Sequence, residues 1–183
     1  MPPRSLPRKV STEQELYAAA LRALMRRAHS VHEMRGYLGR RAEDEKMVSR
    51  VVARLREQGY LDDGRFALDY ARQHAVSRRQ GRFRIARELR ARGVPDRHIE
   101  EALDTVFAET DEAALVRARL RRRLAHLRAP LDQRRLASLY RSLLAAGFSA
   151  DVIRAEIRAF RRKAADPVDF QDLPDFSAFD DPA

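Results

Sequence analysis

Apolar residues recur along this chain at intervals of three and four and almost never in strict alternation. Such spacing lines one face of a helix; alternation would line one face of a strand. β-branched residues are scarce, and Gly and Pro fall mostly between the periodic segments. The pattern predicts an all-α fold of nine helices, at roughly 12–28, 31–41, 45–58, 63–78, 82–92, 96–107, 111–128, 133–146 and 150–164.

Several predicted ends carry their own chemistry. Ser30 with Glu33 fits a capping box, each side chain satisfying an end N–H. In the stretch YLDDGRF (60–66), Asp62 suits the cap of the following helix. Leu61 and Phe66 suit a hydrophobic staple, and Asp63 places negative charge at the positive end of the dipole. Ser149 is a second cap, with Phe148 and Ile153 as its staple. Gly59, Gly93 and Gly147 each follow a helical stretch, where a left-handed residue closes a helix.

The helices repeat. Residues 34–55, 85–106 and 139–160 align without gaps at offsets of 51 and 54. Met34, Ile85 and Leu139 coincide, as do Leu38, Leu89 and Leu143. So do Val48, Ile99 and Ile153; Val52, Leu103 and Ile157; and Leu55, Val106 and Phe160. Ala42, Gly93 and Gly147 fall at the turn, and Asp44, Pro95 and Ser149 open the next helix. The expected organisation is a basic flexible N-terminus (1–11), three-helix units at 12–60, 61–110 and 111–164, and an acidic tail (165–183). Tandem units pack mainly on their neighbours, which predicts an elongated, curved body.

Charge sharpens the picture. Lys and Arg number 37 against 27 acids, a formal net charge of +10, and 34 of the bases are Arg. A surplus of this size suits a polyanionic partner. The segment 166–183 runs the other way, with six Asp, three Phe and no base, so the rest of the chain carries 10 + 6 = +16. It lacks periodicity and is expected to be mobile. One reading folds it back on the basic face to compete with polyanions; the plainer one makes it a solubilising end. The chain has no Cys, which excludes disulfides, thiolate nucleophiles and Cys-based zinc sites. No apolar run approaches the length of a membrane span, and the expectation is a soluble, cytoplasmic protein.

The arginines concentrate at 78–92, where seven Arg accompany one Glu. Ile85 and Leu89 define the buried face of that helix, so Arg84, Arg87 and Arg90 point at least ~120° away from it. Arg78, Arg79 and Arg82 sit at the preceding turn. On the helix carrying Val116, Leu120 and Leu124, Arg117, Arg119, Arg121, Arg122 and Arg123 occupy the other faces. Any one of these arginines suits a solvated helix face. As a set they exceed the acids close in sequence, Glu88, Glu100 and Glu101. The aromatics Tyr37, Tyr60, Phe66, Tyr70 and Tyr140 mostly fall on apolar stripes and are expected in the core, whereas Phe83 falls off its stripe.

Catalytic chemistry is not legible. Phosphate-binding glycine loops, G-x-S-x-G and H-E-x-x-H are all absent. His29 and His32 are spaced like metal ligands but find no convincing third ligand, so structural roles are expected. No cofactor, metal or catalytic residue is predicted.

The stretch Gly59-Tyr60-Leu61-Asp62-Asp63-x-x-Phe66-Ala67, followed by Gly81-x-x-Arg84-Ile85-x-x-Glu88-Leu89-x-x-x-Gly93-Val94, resembles the signature of the RecX family, regulators of the RecA recombinase. His29-Ser30-x-x-Glu33-Met34-x-x-x-Leu38 is similar to that family's first-repeat motif. The likeness covers roughly residues 12–164, and it implies tandem three-helix units. It also implies a non-enzymatic protein that binds the RecA filament on single-stranded DNA, lodges in its groove and impedes extension, strand exchange and ATP hydrolysis. Ser30, Glu33, Tyr60, Leu61, Asp62, Asp63, Phe66, Gly81, Ile85, Leu89 and Gly93 are then structural. The binding candidates are Arg65, Arg72, Arg78, Arg79, Arg82, Arg84 and Arg87, with Arg119, Arg122 and Arg123 in second place. The expected partners are the RecA filament and, nonspecifically and salt-sensitively, single-stranded DNA; no membrane is expected, and the protein is expected to be a monomer. The alternative is a direct, mostly nonspecific DNA-binding module of helix-turn-helix-like units.

Overall fold

The computed structural model describes residues 10–125 and 132–163. The chain before residue 10, the predicted helix end past 125 and the acidic tail, with its fold-back reading, lie outside the described residues. Nine helices form there: α1 (Glu13–Leu24), α2 (Val31–Gly39), α3 (Glu45–Glu57), α4 (Asp63–Val76), α5 (Arg82–Ala91), α6 (Asp96–Glu109), α7 (Glu112–Leu124), α8 (Gln133–Ala145) and α9 (Ala150–Lys163). Each predicted helix is present. The largest difference within the described residues is at α1, which ends four residues early. The N–H groups of Arg26 and Arg27 both return to the Ala23 carbonyl, and Met25 is left 86% exposed.

The caps follow the local chemistry. Ser30 and Glu33 form the full capping box of α2. Asp62 accepts the N–H groups of Gly64 and Arg65 at the start of α4, and Ser149 accepts that of Val152 in α9. Gly59, Gly93 and Gly147 are left-handed, with φ of 73°, 70° and 88°. The fifteen apolar repeat positions are buried, except Phe160, which is half-buried. Tyr60 departs from expectation. It lies just past the left-handed Gly59, its N–H returns to Leu55, and its side chain is 55% exposed rather than in the core.

The chain divides into two compact units, residues 10–70 with 88–102, and residues 71–87 with 103–125 and 132–163. In the first, α1 and α2 pack on α3 around Leu16, Met34, Leu38, Val48 and Leu55. In the second, α7 and α8 pack on α9 around Val116, Leu120, Tyr140, Phe148 and Ile153.

Each unit contains one junction of the same design. In the first, the start of α2 receives the α5–α6 turn. Ser30 Oγ donates to the Arg92 carbonyl at 2.6 Å, and a Cβ on Gly93 would lie 2.3 Å from His32 Cγ. Asp63, first residue of α4, accepts the Val31 N–H at 2.9 Å. In the second, the start of α5 receives the α8–α9 turn. Gly81 N–H donates to the Ala146 carbonyl at 2.9 Å and Phe83 N–H to that of Gly147 at 3.0 Å. A Cβ on Gly81 would lie 2.2 Å from the Gly147 carbonyl oxygen, so two turns meet backbone to backbone. Glu112, first residue of α7, stands at the corresponding place, where the backbone of Arg82 and Ser149 favours its charged form while burial opposes it. The paired positions differ by the repeat offsets: 30 and 81, 31 and 82, 92 and 146.

The same register reaches the first and third repeats. Arg41, in the register of Arg92 and Ala146, has its carbonyl taken by the Val10 N–H at 2.7 Å. Arg135, in the register of Gly81, donates its N–H to Asp132, the cap of its own helix, at 2.7 Å. The corresponding acceptor in the first repeat and donor in the third therefore both have partners.

Candidate nucleic-acid interface

The second unit gathers arginines that lie far apart in sequence. α4 buries Ala71 and Ala75 and ends at Val76. The chain is then pinned on both sides of Arg79. Gln80 is buried, its amide oxygen lies 2.7 Å from Nδ1 of buried His74, and its N–H returns to the His74 carbonyl; Gly81 is docked on Ala146. Between these anchors Arg78 and Arg79 are exposed. α5 turns Ile85 inward, so Arg84 is half-exposed and Arg87 exposed. α7 turns Val116 and Leu120 inward, so Arg122 and Arg123 are exposed and Arg119 is half-buried. The Arg119 guanidinium lies 5.9 Å from the centre of the buried Phe148 ring, a cation–π distance.

Arg119 shows how close these charges are. Burial depresses its pKa most, and the positive charges of Arg84, Arg79, Arg122 and Arg123 depress it further. Five arginines from the α4–α5 turn, α5 and α7 therefore share one field: Arg79 and Arg84 of the first tier of sequence candidates, and Arg119, Arg122 and Arg123 of the second. Among the described residues, no carboxylate lies within 4.0 Å of Arg78, Arg79, Arg87, Arg119, Arg122 or Arg123. Such a cluster repels itself and gains most from a dense array of anionic oxygens.

Other arginines have acidic partners that counting neighbours in sequence missed. Arg82 binds Asp104 at 2.8 Å, Arg90 binds Asp96 at 2.7 Å, and Arg92 binds Glu33 at 2.5 Å. At least three of the seven arginines at 78–92 thus serve ion pairs, and Arg82 belongs to the junction. Arg117 holds Glu156 at 2.6 Å and Asp111 at 2.9 Å. Glu88 accepts from the Tyr70 hydroxyl at 2.7 Å. Arg72 is exposed on the part of α4 in this unit. Arg65 belongs to the first unit, exposed and 3.8 Å from Asp69. Phe83 is 59% exposed, as its position off the stripe predicts.

The first unit holds a polar cleft of about 870 Å³ that sequence reasoning did not single out. Its walls include His32, Arg35, Arg56, Asp62, Arg97 and His98. No group of three metal-binding side chains occurs among the described residues, and His29 Nδ1 hydrogen-bonds the Arg27 carbonyl instead. No helix among the described residues is long and apolar enough to cross a membrane.

Two family descriptions match this chain: "RecX, first three-helix domain" over residues 17–55, and "RecX, second three-helix domain" over residues 62–103. A Regulatory protein RecX from Halorhodospira halophila is 43% identical over 141 residues, covering 77% of this chain and 85% of the relative. The chain belongs to the RecX family. A family member from Deinococcus radiodurans is 36% identical over 156 residues, covering 83% of this chain and 73% of the relative. The fold agrees with the RecX crystal structure from Lactobacillus salivarius, with a TM-score of 0.69 at 23% identity over 82% of this chain and 97% of that one. A second RecX crystal structure gives a TM-score of 0.66 at 24% identity over 78% of this chain and 71% of that one. The two RecX domain descriptions fall within the first two three-helix segments expected from spacing. The RecX signature glycines Gly81 and Gly93 sit at the two junctions.

Proposed function

We propose that this RecX-family chain is a non-enzymatic regulator of RecA, chiefly an inhibitor. It acts as a monomer in the cytoplasm, built of three-helix units at 12–60, 61–110 and 111–164. It occupies the groove of the RecA filament on single-stranded DNA and limits filament extension, strand exchange and ATP hydrolysis. The observation that carries this reading is the arginine cluster of the second unit, in which, among the described residues, no carboxylate lies within 4.0 Å of Arg79, Arg119, Arg122 or Arg123. Guanidinium groups pair bidentately with phosphates and with carboxylates, so one surface type serves both components of such a filament. A helix-turn-helix reading fits less well, because α6 opens with Asp96 bound to Arg90 and His98 near Glu101. Those contacts occupy the end that would meet base edges.

The test is ATP hydrolysis by the cognate RecA on single-stranded DNA, with this protein added after filaments form. Inhibition well below one molecule per RecA is expected. Tight DNA binding with unchanged hydrolysis would refute filament regulation and leave a DNA-binding module.

A further inference from the structure

Four described helix ends close through a left-handed residue. At three of them that residue is glycine: Gly59, Gly93 and Gly147. The fourth, at the end of α4, is Arg79, with φ of 50°, the single non-glycine residue with positive φ among the described residues. In all four, the next residue returns its N–H into the helix, Tyr60 to Leu55, Val94 to Leu89, Phe148 to Leu143, and Gln80 to His74. The return spans five residues after each glycine and six after Arg79, and of the four left-handed positions only the one inside the basic cluster departs from the residue that the conformation favours. An L-residue with a Cβ is disfavoured there, and such outliers persist only where their surroundings hold them. Here the His74–Gln80 pair and the Gly81–Ala146 bond do so.

We infer that the α4–α5 turn is built to present the Arg79 guanidinium to the phosphodiester backbone of a single-stranded polynucleotide. The inference rests on the reading of the second unit as the nucleic-acid face and names one residue and one ligand chemistry within it. Three observations converge. Arg79 is exposed, no carboxylate lies within 4.0 Å of it among the described residues, and its charge acts on Arg119 together with those of Arg84, Arg122 and Arg123. A phosphodiester strand offers regularly spaced anions to such a group, whereas a protein face offers isolated carboxylates. Rigid anchoring also means that the turn loses little further freedom on binding.

The test compares Arg79→Gly with the unaltered full-length chain, using anisotropy of a labelled oligodeoxythymidine over a salt series. Glycine retains the left-handed turn and removes only the guanidinium. Losing one phosphate contact lowers the salt slope by about 0.7, equivalent to roughly fivefold weaker binding at 0.1 M salt relative to 1 M. The melting temperature is expected to hold or rise. Arg79→Ala should lose the same affinity and melt below Arg79→Gly, because alanine keeps the backbone penalty. A lower melting temperature for Arg79→Gly would show a structural role and overturn the inference. Unchanged binding by Arg79→Gly, alongside weaker binding by a combined Arg119→Ala, Arg122→Ala, Arg123→Ala variant, would overturn it and leave the nucleic-acid face standing. If neither variant changes oligonucleotide binding but both weaken inhibition of RecA, the cluster meets protein, and both this inference and the nucleic-acid face fail.

Discussion

The backbone contact between Gly81 and Gly147 can be tested with three single substitutions. Gly147→Ala meets two penalties. Its φ of 88° is unfavourable for alanine, and its Cβ would lie 2.3 Å from the Arg84 backbone nitrogen. The first costs about 1–2 kcal/mol. Relieving the second separates the turns and weakens the bonds from Gly81 to Ala146 and from Phe83 to Gly147, worth about 1 kcal/mol each. The sum is roughly 3–4 kcal/mol. Gly81→Ala isolates the clash, because its Cβ meets the Gly147 carbonyl at 2.2 Å without a left-handed φ; about 2 kcal/mol is expected from the same two bonds. Gly59→Ala isolates the dihedral penalty, because its φ is 73° and nothing lies within 4 Å; about 1 kcal/mol is expected. Urea unfolding followed by far-UV circular dichroism measures all three. With a slope of about 2 kcal/mol per molar, the Gly147→Ala midpoint falls by roughly 1.5–2 M. Should Gly81→Ala and Gly147→Ala fall no further than Gly59→Ala, the turns do not press together and the junction is wrongly described.

The junction acids should respond to pH in opposite directions. Burial pushes the Glu33 carboxyl upward, but the Arg27 hydrogen bond, the charges of Arg27 and Arg92 and the Ser30 N–H outweigh it, so its pKa is depressed. Its contribution is present above the ordinary carboxylate range and lost as pH falls through the folded value; Glu33→Gln should therefore lower neutral stability and flatten the acid limb of a pH–Tm profile. Glu112 is raised, chiefly by burial, and its Oε1 is buried without a hydrogen bond. Its contribution is present at low pH and lost as pH rises through the folded value; Glu112→Gln should match or exceed the parent Tm at neutral pH, with the difference vanishing in acid. Removing 166–183 takes the formal charge from +10 to +16 and should tighten oligonucleotide binding at low salt, converging with the parent as salt rises; equal affinity across the series would refute that expectation.

The RecX signature reads differently once the fold is in view. Its glycines were legible as turn residues, but the reason for glycine at position 81 lies in Gly147, far along the chain. Ser30 was legible as a cap because its partner, Glu33, is one turn away. Its bond to the Arg92 carbonyl was not legible. Counting nearby acids also misjudged Arg82, Arg90 and Arg92, whose partners Asp104, Asp96 and Glu33 lie outside the stretch counted. The stripe argument placed Arg84, Arg87, Arg119, Arg122 and Arg123 off the buried faces of their helices, yet could not say that α5 and α7 bring several of them together.

By itself, the sequence determined the helices, their caps, the three-fold spacing and the surplus of arginine. Those features depend on hydrogen bonds and side-chain periods that span a few residues, so each is written locally. The tertiary structure alone decided which carbonyl meets which turn, which arginines have acidic partners, and which remain crowded around Arg119. Those outcomes depend on the path of the backbone between residues tens of positions apart, and only the packed cores of the two units set that path.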